Sequence, residues 1–499
     1  MKVVSVEQAR RHRLRAHYLD RAYGIEDAAE LAGACGMQNT PPGAWGTALF
    51  NRAPACRRED AERLLYGEKT LVQAWSLRGA PVVFPAAESA AFLSALVPAK
   101  GEPWAYTKGI GLALDALGME FDRLLELLVR AMPRLDDEAI ASKVALDQTL
   151  ADWVEPLLPE NKRAAWRQPS MYGSPDKQTV GGAAVSFLLR PCSFMGLVVY
   201  GERAGATPTF TSYRRWTGGA LQPDADAAAR LVRKFVHCYG PTRPDALAAW
   251  TGCSGAQARR MWKGIADELE PVEFGGKKAW ALAADLDALA SVAPPEREVL
   301  LLAGHDPYLD QRDRATLQAD VSLHRRIWKT VANPGVVVRN GEAVGTWTAK
   351  KKGAGLSVSL ATWVACPEQK LRDLAEAYAA FRGLKLLGVS FEYHLGSSRE
   401  TPRMHGFRTP CAAKSSFWHV ELVRKPWSGT PSEHELGFRL ADSQKKASKP
   451  VETAKTTILP HIALRKGAAG RRTRASVCVH GKICRSDRRG RGRNNVLAV

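Results

Sequence analysis

Gly36-Met37-Gln38-Asn39-Thr40-Pro41-Pro42-Gly43-Ala44-Trp45 joins two segments that read as helices, Ile25 to Cys35 and Trp45 to Arg52. Two adjacent prolines and a glycine force an extended turn between them, because proline fixes φ and drives the preceding residue out of the α region. The turn carries two amides, Gln38 and Asn39, and a hydroxyl, Thr40. Three small polar groups on a stiff bend can hold a water or read the edge of a base. On the plainer reading, Asn39 and Thr40 cap the next helix.

Upstream of the turn, residues 5 to 18 read as a helix capped by Ser5, with Gln8 three residues on as the capping-box partner. Downstream, Arg57 to Leu65 reads as another helix. The run Leu71 to Phe84 then has strand residues on both sides of Arg78-Gly79, which marks a hairpin. Helices followed by a two-stranded hairpin is the order of a winged helix-turn-helix unit. The same order recurs from Phe121 to Tyr213, with helices expected at 121–132 and 137–157, a third at 181–189, and strands at 198–200 and 208–216. It recurs again from Asp224 to Leu282, where 269–274 pairs across Gly275-Gly276 with 279–282. From Val299 the pattern changes to strands, with an Asn340-Gly341 hairpin, a helix at 367–382 and a closing strand at 388–393.

The fold class expected is therefore α+β: three tandem winged helix-turn-helix units followed by a small β-sheet domain and a basic C-terminal tail of low order. The boundaries are 1–104, 105–222, 223–292, 293–393 and 394–499. A generic α+β chain is the plainer alternative, since helix-helix-hairpin order also arises by chance.

The net charge of +20 is unevenly placed. From His394 to Val499 there are 22 Lys+Arg against 7 Asp+Glu, which is most of the surplus, so the basic balance says little about the folded part. The tail reads as disordered, and its Arg488-Arg489-Gly490-Arg491-Gly492-Arg493 run could hold phosphates loosely. Cys478-x-His480-x3-Cys484 lacks a fourth ligand and the usual spacing, so it is not read as zinc. Nine scattered cysteines, no secretory signal and no apolar run of membrane length point to a reduced, cytoplasmic protein with no membrane partner.

Three stretches in this order resemble the AlkZ/YcaQ-like family of winged-helix DNA-binding proteins: Gln38 in its bend, Leu71-Val72-Gln73-Ala74-Trp75-Ser76-Leu77-Arg78-Gly79, and His305-Asp306-Pro307-Tyr308-Leu309-Asp310-Gln311-Arg312-Asp313-Arg314. The segment from Arg326 to Trp347 is similar to the family's C-terminal hairpin, and the resemblance spans roughly residues 5 to 393. It implies a concave face for double-stranded DNA and a monofunctional glycosylase releasing alkylated purines by water attack on the N-glycosidic bond. It implies a monomer, with no metal and no organic cofactor.

The family's triplet is Gln–hydrophobic–Gln or Gln–hydrophobic–Asp. Here it aligns as Gln38-Asn39-Thr40, which makes these three the candidate catalytic residues and puts the hydrolysis itself in question. The rival function is a non-catalytic DNA-binding regulator or damage sensor. Arg78 at the first hairpin, and Arg259, Arg260 and Lys263 on the third unit's recognition-like helix, are the candidate DNA contacts. Trp45 and Trp75 read as core. His305 and Asp306 read as a buried His–Asp pair anchoring the sheet domain to the third unit.

Overall fold

The structure is a computed structural model that describes residues 1–104, 107–172, 178–310, 312–329 and 332–393, with the backbone alone at 108. The basic tail from 394, with Cys478, His480 and Cys484, lies outside the described residues. The described residues all fall within one compact unit, Met1–Thr401.

The capping box forms as expected. Ser5 Oγ accepts from Gln8 N at 3.1 Å while Gln8 Oε1 accepts from Ser5 N at 2.9 Å, opening α1, Val6–Ala16. Just before it, Lys2–Val4 forms β1. Then come α2 (Ala28–Gly33), β2 (Met37–Gln38) and α3 (Ala44–Arg52). The expected hairpin follows as β3 (Leu71–Trp75) against β4 (Pro81–Pro85), and β2 adds to its open edge to give the order β2-β4-β3. Trp45 and Trp75 are both buried, as expected of core residues.

A second small sheet is built from β5 (Ile140–Ala141), β6 (Val199–Tyr200) and β7 (Thr209–Thr211), ordered β5-β7-β6. Here two expectations shift. The helix expected from 137 begins only at Lys143, because Ser142 caps it through Ala145 N, and the residues before it join the sheet. The strand expected to run to 216 ends at Thr211. Ser212 then caps a short helix, Tyr213–Thr217.

The third hairpin is β8 (Leu269–Phe274) with β9 (Lys277–Leu282), and β1 pairs parallel to β8, Lys2 opposite Val272. Three residues at the chain start thus complete a sheet built near residue 270. No local pattern announces a pairing of that span.

The last sheet has five strands in sequence order: β10 (Val299–Leu302), β11 (Gly335–Arg339), β12 (Glu342–Lys352), β13 (Gly355–Thr362) and β14 (Lys385–Tyr393). The Asn340-Gly341 turn has φ of 48° and 83°, the double positive value that a two-residue hairpin loop requires. β10 is an edge strand, yet all four of its residues are buried, because α3 lies against it. Asn51 Nδ2 donates to Leu301 O at 3.1 Å, and Phe50 stacks on Phe381 with ring centres 4.7 Å apart.

The cores also ignore the sequence intervals. Val72, Phe84 and Phe92 share one apolar cluster with Phe235, Trp250 and Met261. The first hairpin and the helices near residue 250 are therefore packed as a single body, which sets the geometry of the site between them.

Candidate active site

Gln38 reaches its place through strand pairing rather than from a free bend. Met37 sits opposite Val83 and Gln38 opposite Val82, and Asn39 N continues the ladder to Pro81 O at 2.8 Å. Gly36 makes the approach possible: its φ is +69°, and a Cβ there would lie 2.6 Å from Val82 Cγ1. Met37 is buried in the core and Gln38 is half-buried on the other face, following strand alternation.

The Gln38 carboxamide is gripped at both ends. Its Oε1 accepts from Arg78 Nη2 at 3.2 Å, and its Nε2 lies 3.3 Å from His305 Nδ1. Arginine can only donate, so the amide oxygen must face Arg78 and the amide nitrogen must donate to His305. That makes His305 Nδ1 an acceptor and puts the ring proton on Nε2. Burial holds His305 below its ordinary imidazole range; Asp310 pulls it up and Arg78 pushes it down, so the ring is neutral near pH 7.

Arg78 stands in the turn between β3 and β4 at φ 55°. Expected at a wing tip reaching for phosphate, it instead folds inward. Its Nη1 pairs with Asp310 at 2.6 Å and donates to Trp250 O, also at 2.6 Å. Asp310 is shared with Arg312 at 2.8 Å. Two guanidinium groups on one carboxylate leave a local surplus of one positive charge beside Gln38. A small cavity of about 10 Å³ is lined by Gln38, Arg78, Tyr239, Trp250, His305 and Asp310. That is the lower limit for one water and far too small for a base.

The other two triplet residues part ways. Asn39 is buried: its Nδ2 donates to Gln73 Oε1 at 2.9 Å and its Oδ1 accepts from Gly43 N at 2.6 Å, tying the bend to the start of α3. Both ends of the Asn39 amide are therefore engaged inside the fold; its bond goes to the N-cap residue Gly43 itself and no side chain caps α3, so the expected helix cap does not form. Thr40 is exposed and lies beyond the strand. The structure thus brings Gln38 together with Arg78 and not with Asn39.

The expected His305–Asp306 pair does not form. Asp306, fully buried, takes a two-pronged ion pair from Arg52 on α3 at 2.9 and 3.1 Å, and His305 turns to Gln38 instead. The anchor to the helix near 239 exists by another route, Tyr239 Oη donating to Pro307 O at 2.8 Å. On the helix Gly255–Lys263, Arg259 and Lys263 are exposed. Arg260 is tied by a bidentate pair to Glu102 at 2.9 and 2.8 Å, so it is not a free cation.

Sequence reasoning missed His305 and Asp310 as neighbours of Gln38. Their signal is the charged run from His305 to Arg314, in which the sequence pairs His305 with Asp306 and not with Gln38.

A family model for AlkZ-like DNA glycosylases matches residues 31–381, so the class is DNA glycosylase. The interstrand DNA cross-link repair glycosylase of Streptomyces sahachiroi is 25% identical over 343 residues, covering 64% of this chain and 81% of that protein. The solved structure of Streptomyces sahachiroi DNA glycosylase AlkZ superposes with a TM-score of 0.61 at 22% identity, over 78% of this chain and 100% of that one. The latter likeness concerns the fold. The chain belongs to the AlkZ-like DNA glycosylase family. Among the described residues no helix is long and apolar enough to cross a membrane.

Proposed function

We propose that this protein is a cytoplasmic, monomeric glycosylase that removes alkylated purines from duplex DNA by water attack on the N-glycosidic bond. Three tandem winged-helix units, one around each three-stranded sheet, present the DNA face in this reading. A purine alkylated at N7 or N3 carries a positive charge and leaves as a neutral molecule, so no general acid is needed. What remains is to hold a water near C1′, which is a positioning task.

The observation that carries the reading is the fixed polarity of Gln38. Arg78 occupies one lone pair of Oε1 and leaves the other to accept a hydrogen bond from a water. His305 stops the amide from flipping. The surplus positive charge over Arg78, Asp310 and Arg312 draws the DNA backbone toward the site, with Arg312 its exposed member. Arg259 and Lys263 add contacts further along the backbone. Since the cavity takes a water and not a base, the sugar must come to Gln38 while the base stays outside it. Asn39 acts as a positioning residue, and Thr40 offers a short second acceptor at the rim.

The test is a duplex carrying N7-methylguanine, incubated with the protein and then treated with hot alkali. Strand breaks are expected with the native chain and not with Gln38→Ala. The second reading, a damage sensor without hydrolysis, is favoured by Thr40 standing where the family pattern has Gln or Asp. Salt-sensitive retention of DNA with no base release by the native chain would select it.

A further inference from the structure

Three soft donors meet behind the strand that carries Gln38, from three separate parts of the chain. His17 lies just past α1, Cys35 follows α2, and Cys238 is in the helix Ala227–Tyr239. One ring nitrogen of His17 and the two sulfurs all lie within 4.8 Å of one another, and all three residues are buried. Nothing in their sequence spacing shows the set.

The geometry of His17 gives it a ligand's character. Its Nδ1 lies 2.9 Å from Arg13 O, a carbonyl that can only accept, so Nδ1 carries the proton. Nε2 is buried with no hydrogen-bond partner among the described residues. A protonated Nε2 would be an orphan donor in the core; the neutral ring instead presents a lone pair. An Nδ1–H held by a backbone carbonyl, with Nε2 free, is the arrangement by which proteins orient metal-ligating histidines. The edges of Tyr239 and Tyr308 pack against the ring at 4.9 and 5.5 Å and hold it in place.

We propose that His17 Nε2, Cys35 Sγ and Cys238 Sγ form a binding site for Zn²⁺. Zinc takes thiolate at about 2.3 Å and imidazole at about 2.0 Å, so bound donors stand roughly 3.5 Å apart and the cluster needs only a small contraction. Two thiolates and a neutral imidazole balance Zn²⁺ to zero net charge, whereas a monovalent cation would leave a buried negative charge uncompensated. Both thiols lose their protons to solvent as the ion enters, and no redox change is involved. The three protein donors leave one coordination position for a water. The ion ties α1, the end of α2 and the helix ending at Tyr239 together, and Cys35 is three residues before Gln38.

The full chain with Cys411→Ser, Cys478→Ser and Cys484→Ser, which removes the thiols of the tail, is loaded with Zn²⁺ alone, passed over a gel-filtration column and assayed for metal. About one zinc per chain is expected to remain, and Cys35→Ser, Cys238→Ser or His17→Gln added to it should each abolish retention. Should a core substitution fail to fold, Co²⁺ loading of the Cys411→Ser/Cys478→Ser/Cys484→Ser chain gives an independent answer. A thiolate-to-cobalt charge-transfer band is expected, together with protection of Cys35 and Cys238 from alkylation. No retained zinc and no such band overturn the proposal. So does undiminished retention in a folded Cys35→Ser variant, or oxidation of Cys35 and Cys238 to a disulfide that leaves metal uptake unchanged.

Discussion

Gln38 is held by one arginine and one imidazole, and each grip can be tested separately. Gln38→Ala should lower the rate of base release by about 10²-fold or more, the usual cost of losing a well-placed polar group. Circular dichroism should be unchanged, since the side chain is half-buried and its loss leaves no core cavity. Thr40 is exposed, so its replacement is structurally cheap. Thr40→Gln restores the last residue of the family's triplet, and the alkali assay should show release rising by about 10-fold. An unchanged rate would mean that the rim position contributes nothing. His12 is a residue-scale matter of stability rather than chemistry. Burial holds its pKa down to about 4, against a pull upward from Asp285. The unfolded chain takes up this proton near pH 6.5 and the folded chain only near 4, so stability is lost as pH falls through that window. His237, hydrogen-bonded to Asp285, is shifted upward, and its contribution runs the other way, being lost as pH rises. Urea midpoints measured from pH 7 to pH 4 should therefore fall for the native chain and fall less for His12→Gln.

At the scale of elements, the decisive join is between α3 and the five-stranded sheet. Arg52 and Asp306 are both buried and paired at two points. Asp306→Ala leaves a guanidinium in the interior without its partner, and the expected cost is about 3–5 kcal/mol by urea denaturation. It should also loosen His305, the next residue, and so reduce base release among molecules that remain folded. A drop below about 1 kcal/mol would show that Arg52 finds another partner. Most elements were legible in the chain because their signals are local. Ser5 with Gln8, Asn340 with Gly341, and the two runs flanking Gly275-Gly276 each carry cap or turn chemistry within a few residues. β1 and β2 were not legible. Two or three residues have no periodicity, and each becomes a strand only because a distant hairpin offers it an open edge.

Across the whole molecule, Val72 to Phe92 and Phe235 to Met261 share a core, and α3 shares another with the C-terminal sheet. A chain ending at Tyr393 contains all of these clusters, so it should unfold in one cooperative step with the native midpoint and should retain base release. A lower midpoint or a broadened transition would show that the tail takes part in the fold. DNA binding should weaken steeply with salt, and Arg259→Ala with Lys263→Ala should make that dependence shallower by about two ion contacts. By itself the sequence determined the alternation of helices and hairpins, the turn types, the family resemblance and the polar bend that holds Gln38, because caps, turns and motifs are written in neighbouring residues. Only the tertiary structure decided what Gln38 touches, where Arg78 points and which partner Asp306 takes. Those contacts join residues separated by tens to hundreds of positions, and which charge meets which is settled when separate elements bury a common core.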